Sequence, residues 1–350
     1  MIAALLLALS VPASAQTPQA VVSRVMARAE KLVAAQKGKD AREIGDLDKR
    51  AEGLAKELKP LGWKAIPALA AAAQDLKRPA KVRLFATSYL ALTADPLALA
   101  PLEDILLDPE QPDYVRSLAA QSVTGLGASD AAVRTVLCAA IKKEELPREV
   151  LAAAIIPLQR LGCPEPAALE RVSRSFGPRP GGKDLPLVSA ALATLGKSLG
   201  PASGKALLSL VSYFPAREDA RAAAIKALDA RRADISNWLK PESLPVVLEA
   251  LRSESARRDT EILLVRMAAA LGDEAIPALA RLTKHPDAEV LAEAAEALAA
   301  AKHAESLPAL ESVIAGAMSD PRFSPQEGRP DPAVSLARVE KAVAALRRAR

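Results

Sequence analysis

Gly177-Pro178-Arg179-Pro180-Gly181-Gly182-Lys183 fits the G-x-x-x-x-G-K spacing with which a loop cradles phosphates. The residues around it do not complete that chemistry. Asp184 stands where a Ser or Thr hydroxyl would hold magnesium, two prolines remove backbone donors, and no strand pattern precedes the loop. An exposed turn between helices, open to proteolysis, is expected instead. The two histidines, His285 and His303, fall in turns on opposite edges of the predicted array, where they share neither a metal nor a proton relay. Each is expected to be solvated. Two His and two Cys make no four-ligand zinc site, and no Ser or Cys has a His placed by sequence to activate it. The sequence therefore predicts no catalytic residue, no metal, no cofactor and no enzyme activity.

Charge narrows the partners. The chain has 350 residues with 47 Lys and Arg against 42 Asp and Glu, a net charge of +5 spread without a single-sign block. Arg217, Arg221, Arg257 and Arg258 gather near the starts of two helices, but Glu218, Asp219, Asp259 and Glu261 stand among them and cancel the field. With two Trp and three Tyr there are few rings for bases to stack on, so no nucleic acid is expected.

At the amino end, Ile2 to Leu9 is an apolar run followed by Pro12 and Ala13-Ser14-Ala15, the pattern of a secretory signal peptide cleaved after Ala15. No Lys or Arg precedes the run, a departure from that pattern. Residues 1–15 are read as the signal and the product as periplasmic or secreted, without stable membrane insertion. In that compartment Cys138 and Cys163 gain the option of a disulfide. Cys138 lies in a helical run and Cys163 in the turn Gly162-Cys163-Pro164, so Cys138 is read as a small core residue, with a bridge as the alternative.

The elements that must position any site are repeats. Alanine occupies 76 of the 350 positions, which suits closely packed helices and disfavours strands. Leu-Gly stops recur at Leu61-Gly62, Leu126-Gly127, Leu161-Gly162, Leu199-Gly200 and Leu271-Gly272, at intervals that are multiples of a period in the mid-thirties. Val115, Val150 and Val188 each precede their Gly by twelve residues, and Val82 and Val290 stand twelve before expected stops at Ala94 and Lys302. Each period splits into two amphipathic helices, giving eight pairs from Trp63–Asp75 with Pro79–Thr93 to Ala304–Met318 with Pro332–Arg348. Residues 16–62 contain a charged capping helix pair, and 63–350 form the array, with loops at 177–183 and at the proline-rich 319–331. Asp75 with Arg83 and Asp108 with Arg116 span the turn of a unit, an expected link between charge and helix end.

Ala65 to Arg83, Leu99 to Gly127 and Ala275 to Ala301 resemble HEAT repeats, including the short bacterial bilin-lyase-like kind. Asp108, Val115, Arg116, Ala119, Leu126 and Gly127 match the pattern of that family, whereas Leu151 and Leu291 interrupt its Arg positions. The resemblance implies an all-α, right-handed α-solenoid of about eight hairpins behind the capping pair. The physics agrees, because hairpins this short are marginal alone and gain order by stacking.

In such an array the second helices line the inner face. Counting from Val82, Val115, Val150, Val188, Val290 and the equivalent Ala220 and Thr260, one row on the ridge opposite the core falls two residues on and another six residues on. These rows supply the candidate groove: Leu84, Ser88, Gln121, Ile156, Thr194, Lys226, Ile262, Arg266 and Glu296. The expected function is an exported, non-catalytic scaffold holding a protein or peptide partner of the cell envelope on its concave face. A bilin-lyase-like ligand-handling array and a nucleic-acid-binding array are the alternatives.

Overall fold

The computed structural model describes residues 17–36, 53–198, 200–215, 218–231, 241–253, 258–325 and 331–349. The signal-peptide segment, Leu199, Arg217, Arg257 and part of the 319–331 loop lie outside them. Among the described residues the chain is helical, with no strand. It divides into two compact units, Met1–Pro157 and Leu158–Arg350.

The first unit opens with α1 (Pro18–Ala35), whose Thr17 Oγ1 accepts from the Ala20 amide at 3.2 Å and caps the helix. Its apolar face, Val22, Val25, Met26 and Ala29, packs on α2 (Ile66–Gln74) and α3 (Ala80–Leu92). A short helix over 53–58 and a 3-10 turn, Lys59–Ala65, lead into α2. Then come α4 (Leu99–Leu107), α5 (Asp113–Ser122), α6 (Asp130–Ile141) and α7 (Arg148–Leu161), whose last turn passes into the second unit. Within this unit α2 pairs with α3 and α4 with α5 as hairpins, and α3 stacks on α5.

The second unit continues the pattern with α8 (Pro166–Ser175) and α9 (Leu185–Lys197), α10 (Pro201–Tyr213) and α11 (Asp219–Asp229), and α12 (Leu244–Ser253) and α13 (Arg258–Ala270). It ends with α14 (Ile276–Arg281) and α15 (Ala288–Ala300), and α16 (Leu307–Gly316) and α17 (Pro332–Ala349). Each unit is therefore an all-α stack of the solenoid kind.

The repeat landmarks behave as their chemistry requires. Val82, Val115, Val150, Val188 and Val290 are fully buried. The stops at Gly127 and Gly272 take left-handed backbone, φ 68° and 84°, which removes the Cβ penalty where one hairpin turns into the next. Ala94 and Lys302, at the two expected stops that lack Gly, adopt the same state at φ 48° and 54°. Pro at the second position of α2, α9, α14 and α16 uses the first-turn site where its missing N–H costs nothing.

Two expectations are corrected. Asp75 does not pair with Arg83: its Oδ2 meets Arg78 Nε at 3.3 Å and its Oδ1 accepts from the Lys77 amide at 3.1 Å. Asp108 likewise serves its own turn through the Glu110 amide, at 2.9 Å. The arginines are buried and reach carbonyls or amides instead. Arg116 Nε donates to Leu106 O at 3.0 Å, satisfying the open end of α4, while Arg83 donates to Gln111 Oε1 at 2.7 Å, and Gln111 in turn donates to Ala73 O. Arg221 bonds Phe214 O at 3.2 Å and Glu249 at 2.7 Å. A carboxylate eight residues back is already occupied by nearer amides, so the guanidinium takes the unsatisfied carbonyl.

The second correction concerns sulfur. Cys138 and Cys163 are both disulfide-bonded, with no free thiol, so Cys138 is not a reduced core residue. Thiol titration of the denatured protein is expected to return none before reduction and two after it. Two reactive thiols without reductant would contradict the bridge.

Candidate functional site

The second helices sit closer to one another than the first helices do in each unit, which makes the second-helix side the inner face of each stack. That closeness decides which candidate groove residues can meet a ligand. In the first unit, Leu84 and Ser88 on α3 are half-buried, and Ser88 Oγ donates to Leu84 O at 3.0 Å. Gln121 on α5 is exposed and donates to Ser117 Oγ at 3.3 Å. Ile156 on α7 is 55 % exposed. The accessible row here carries no charge.

The second unit differs. Thr194 is fully buried, with its hydroxyl donating to Ala190 O at 2.7 Å, and Ile262 is only 7 % exposed. Neither lines an open groove. Ala190 and Ala292, which share the row of Ile262, are buried as well, because neighbouring second helices cover that row. Lys226 is exposed. Arg266 and Glu296 belong to an ion-pair ladder: Arg266 Nε meets Glu293 Oε1 at 2.7 Å, and Arg338 Nη2 meets both Glu293 Oε2 and Glu296 Oε2 at 2.7 Å. Burial pushes the Glu293 carboxyl up, but the bonds from Arg266 and Arg338 outweigh it and hold it below the ordinary carboxylate value. Arg338 is raised chiefly by its bond to Glu296, and Arg266 by its bond to Glu293. These groups satisfy each other.

The expected arginine cluster does not form a basic patch among the described residues. Arg221 is buried against Phe214 O and Glu249, and Arg258 pairs with Asp259 and Glu289. The 177–183 segment is a turn between α8 and α9, with Gly181, Gly182 and Lys183 exposed.

A polar site that sequence spacing missed lies where α12, α13 and α14 meet. Glu261, on the first turn of α13, is buried, with its side chain 3 % exposed, and His285 Nε2 approaches its Oε1 at 3.2 Å. His285 is thus not the solvated turn residue expected, since its side chain is only 11 % exposed. The Asp287 amide donates to His285 Nδ1 at 3.0 Å, so Nδ1 is the acceptor and Nε2–H donates to Glu261. Desolvation is the main cause raising the Glu261 carboxyl above its usual value, and His285 pulls against it. Arg322 clamps the backbone of this turn, with Nη1 donating to His285 O at 3.0 Å. That contact draws the start of the 319–331 loop onto the turn. Glu261 and His285 stand 24 residues apart on either side of a whole helix, and no local pattern marks such a pair. Both line a cleft of about 480 Å³, together with leucines of α12 and with Ala278 and Leu282.

His303 bonds Ser306 Oγ at 2.7 Å in the next turn. Among the described residues no group of three or more His, Cys, Asp and Glu could hold a metal ion, and no helix is long and apolar enough to cross a membrane.

A family model described as HEAT repeats matches residues 244–322, the stretch that contains the Glu261–His285 pair. No curated protein matches the chain. Among solved structures, human deoxyhypusine hydroxylase in complex with glycerol aligns with 94 % of this chain and 97 % of its own at 19 % identity, with a TM-score of 0.27. That alignment carries no residue or substrate across. The expectation of no enzyme activity is withdrawn, as the aligned protein is by name an enzyme.

Proposed function

We propose that this chain, a HEAT-repeat protein, works in the cell envelope as a helical scaffold that holds a protein or peptide partner along its second-helix face. The observation that carries the reading is Ile156, an apolar side chain 55 % exposed on the inner row, in line with the uncharged Gln121, Ser88 and Leu84. An exposed β-branched side chain flanked by neutral polar groups suits an apolar anchor of a partner, with hydrogen bonds at its rim. The charged ladder of Arg266, Glu293, Glu296 and Arg338 is internally paired, so the neutral row offers more to a partner than the charged one. Export is supported by the apolar run and small-residue triplet ending at Ala15, and by two oxidised cysteines, which fit a periplasmic or secreted setting.

A photo-crosslinker at Gln121 tests this reading. It is expected to capture one discrete adduct from envelope extract, and Ile156→Glu should reduce that adduct at least tenfold, since an introduced charge must be desolvated in the interface. A crosslinker at Thr135, exposed on the first helix α6, should capture none. Equal capture at both positions, or no effect of Ile156→Glu, would overturn the proposal.

A further inference from the structure

The cleft between α12 and α14 has a chemistry of its own. Leu248 and Leu251 of α12 and Leu282 after α14 give it an apolar wall. Its volume, about 480 Å³, falls within the range of small-molecule sites. Arg252, in the last turn of α12, and Arg281, in the last turn of α14, both line it. The two helices occupy equivalent places in successive hairpins, so the two guanidinium groups come from matching helix ends. Both are exposed, and neither has an ion-pair partner among the described residues. Other arginines of this unit, Arg221, Arg258, Arg266, Arg322 and Arg338, each meet a carboxylate.

The remaining polar groups do not cancel that pair. Glu261 is buried and already accepts from His285, whose other ring nitrogen is taken by the Asp287 amide. Glu261 is the one acidic side chain in the lining and is engaged by His285, so an incoming anion meets two forked donors that no carboxylate among the described residues occupies.

We propose that this cleft binds a small amphiphile, an apolar chain ending in a carboxylate, with the chain on the leucine wall and the carboxylate between Arg252 and Arg281. The cleft is lined by α12, α14, the turn after α14 and Glu261 of α13, and it shares no residue with the row of Gln121 and Ile156. Binding there is independent of the partner reading above, and either can fail without the other.

Dodecanoate is the probe, titrated into the full-length oxidised protein by calorimetry. Saturable binding is expected, and dodecanol, which keeps the chain but lacks the charge, should bind at least tenfold more weakly. The double variant Arg252→Gln, Arg281→Gln should show the same tenfold loss for dodecanoate and no change for dodecanol. Both arginines are exposed, so the variant keeps its fold, which helical circular dichroism verifies. Labelling by a photoreactive fatty acid should place the adduct on α12 or α14. No saturable binding, equal affinity for acid and alcohol, equal binding by the double variant, or labelling confined to other helices would overturn the assignment. So would binding of a peptide with an apolar carboxyl-terminal residue where dodecanoate fails, since that identifies a peptide site.

Discussion

Gly196→Val should lower the stability of the second unit by about 3 kcal/mol, and Gly196→Ala by about 1 kcal/mol. Helix propensity alone predicts the opposite sign for alanine, a gain of roughly 0.8–1.0 kcal/mol in a helix interior. Contact decides against it. A Cβ at Gly196, in the last turn of α9, would stand 2.9 Å from Ala227 O and 3.2 Å from both Ala227 Cα and Cβ of α11. The neighbour is backbone and a methyl group, neither of which can rotate away. The second helices must slide apart, and the buried leucines and alanines between them lose contacts as they do. Urea unfolding checks this: the midpoint should fall at unchanged slope. A midpoint for Gly196→Ala equal to or above that of the parent would show that the approach of α9 and α11 is not tight.

Glu293→Ala should cost about 2 kcal/mol at pH 7. It leaves Arg266 and Arg338 facing each other without the carboxylate both bond, and breaking a buried pair by removing one partner costs roughly 3–5 kcal/mol. The lower figure follows because the two arginine side chains keep 33 % and 27 % of their exposure and gain back some hydration. The pH dependence has a definite sign. The folded Glu293 carboxyl lies below its ordinary value of 4.5, so its contribution is present above that value and is lost as pH falls through the folded one. The gap between parent and Glu293→Ala in thermal midpoint should therefore be full at pH 7 and close in acid. A gap that persisted undiminished at pH 3 would mean the carboxylate stabilises through packing, not charge. Glu261 acts in the opposite sense. Its carboxyl is raised mainly by burial, so any stabilisation linked to its proton is present in acid and lost as pH rises through the folded value.

The hairpins were legible in the sequence because their signals are local. A Leu-Gly stop and a Val twelve residues before it depend only on how one helix ends and which face it buries. Ala94 and Lys302 show how strong the period is, since both take the left-handed state of a glycine stop without being glycine. The groove was less legible. The period gives the direction of each side chain from its own helix but not the distance to the next helix, and Thr194 and Ile262 are covered because that distance is short. Where the row reaches Gln121 and Ile156 the same count of residues leads to solvent. The Glu261–His285 pair, the oxidised Cys138 and Cys163, and the reach of Arg83 to Gln111 are tertiary meetings of residues distant in the chain. Spacing alone paired Arg83 with Asp75, the nearest opposite charge in sequence, whereas the carboxylate had closer amides to bind.

The buried arginines also bear on how a chain of this kind changes over generations. Arg116 closes on Leu106 within its own hairpin, so a crossover that copies or drops that piece inherits a finished module. Arg83 and Arg221 reach forward, to Gln111 and Glu249, and a recombination falling between either arginine and its partner would strand a guanidinium in an apolar interior. Repeat number can thus grow or shrink by single steps at the first kind of junction and only by linked pairs at the second.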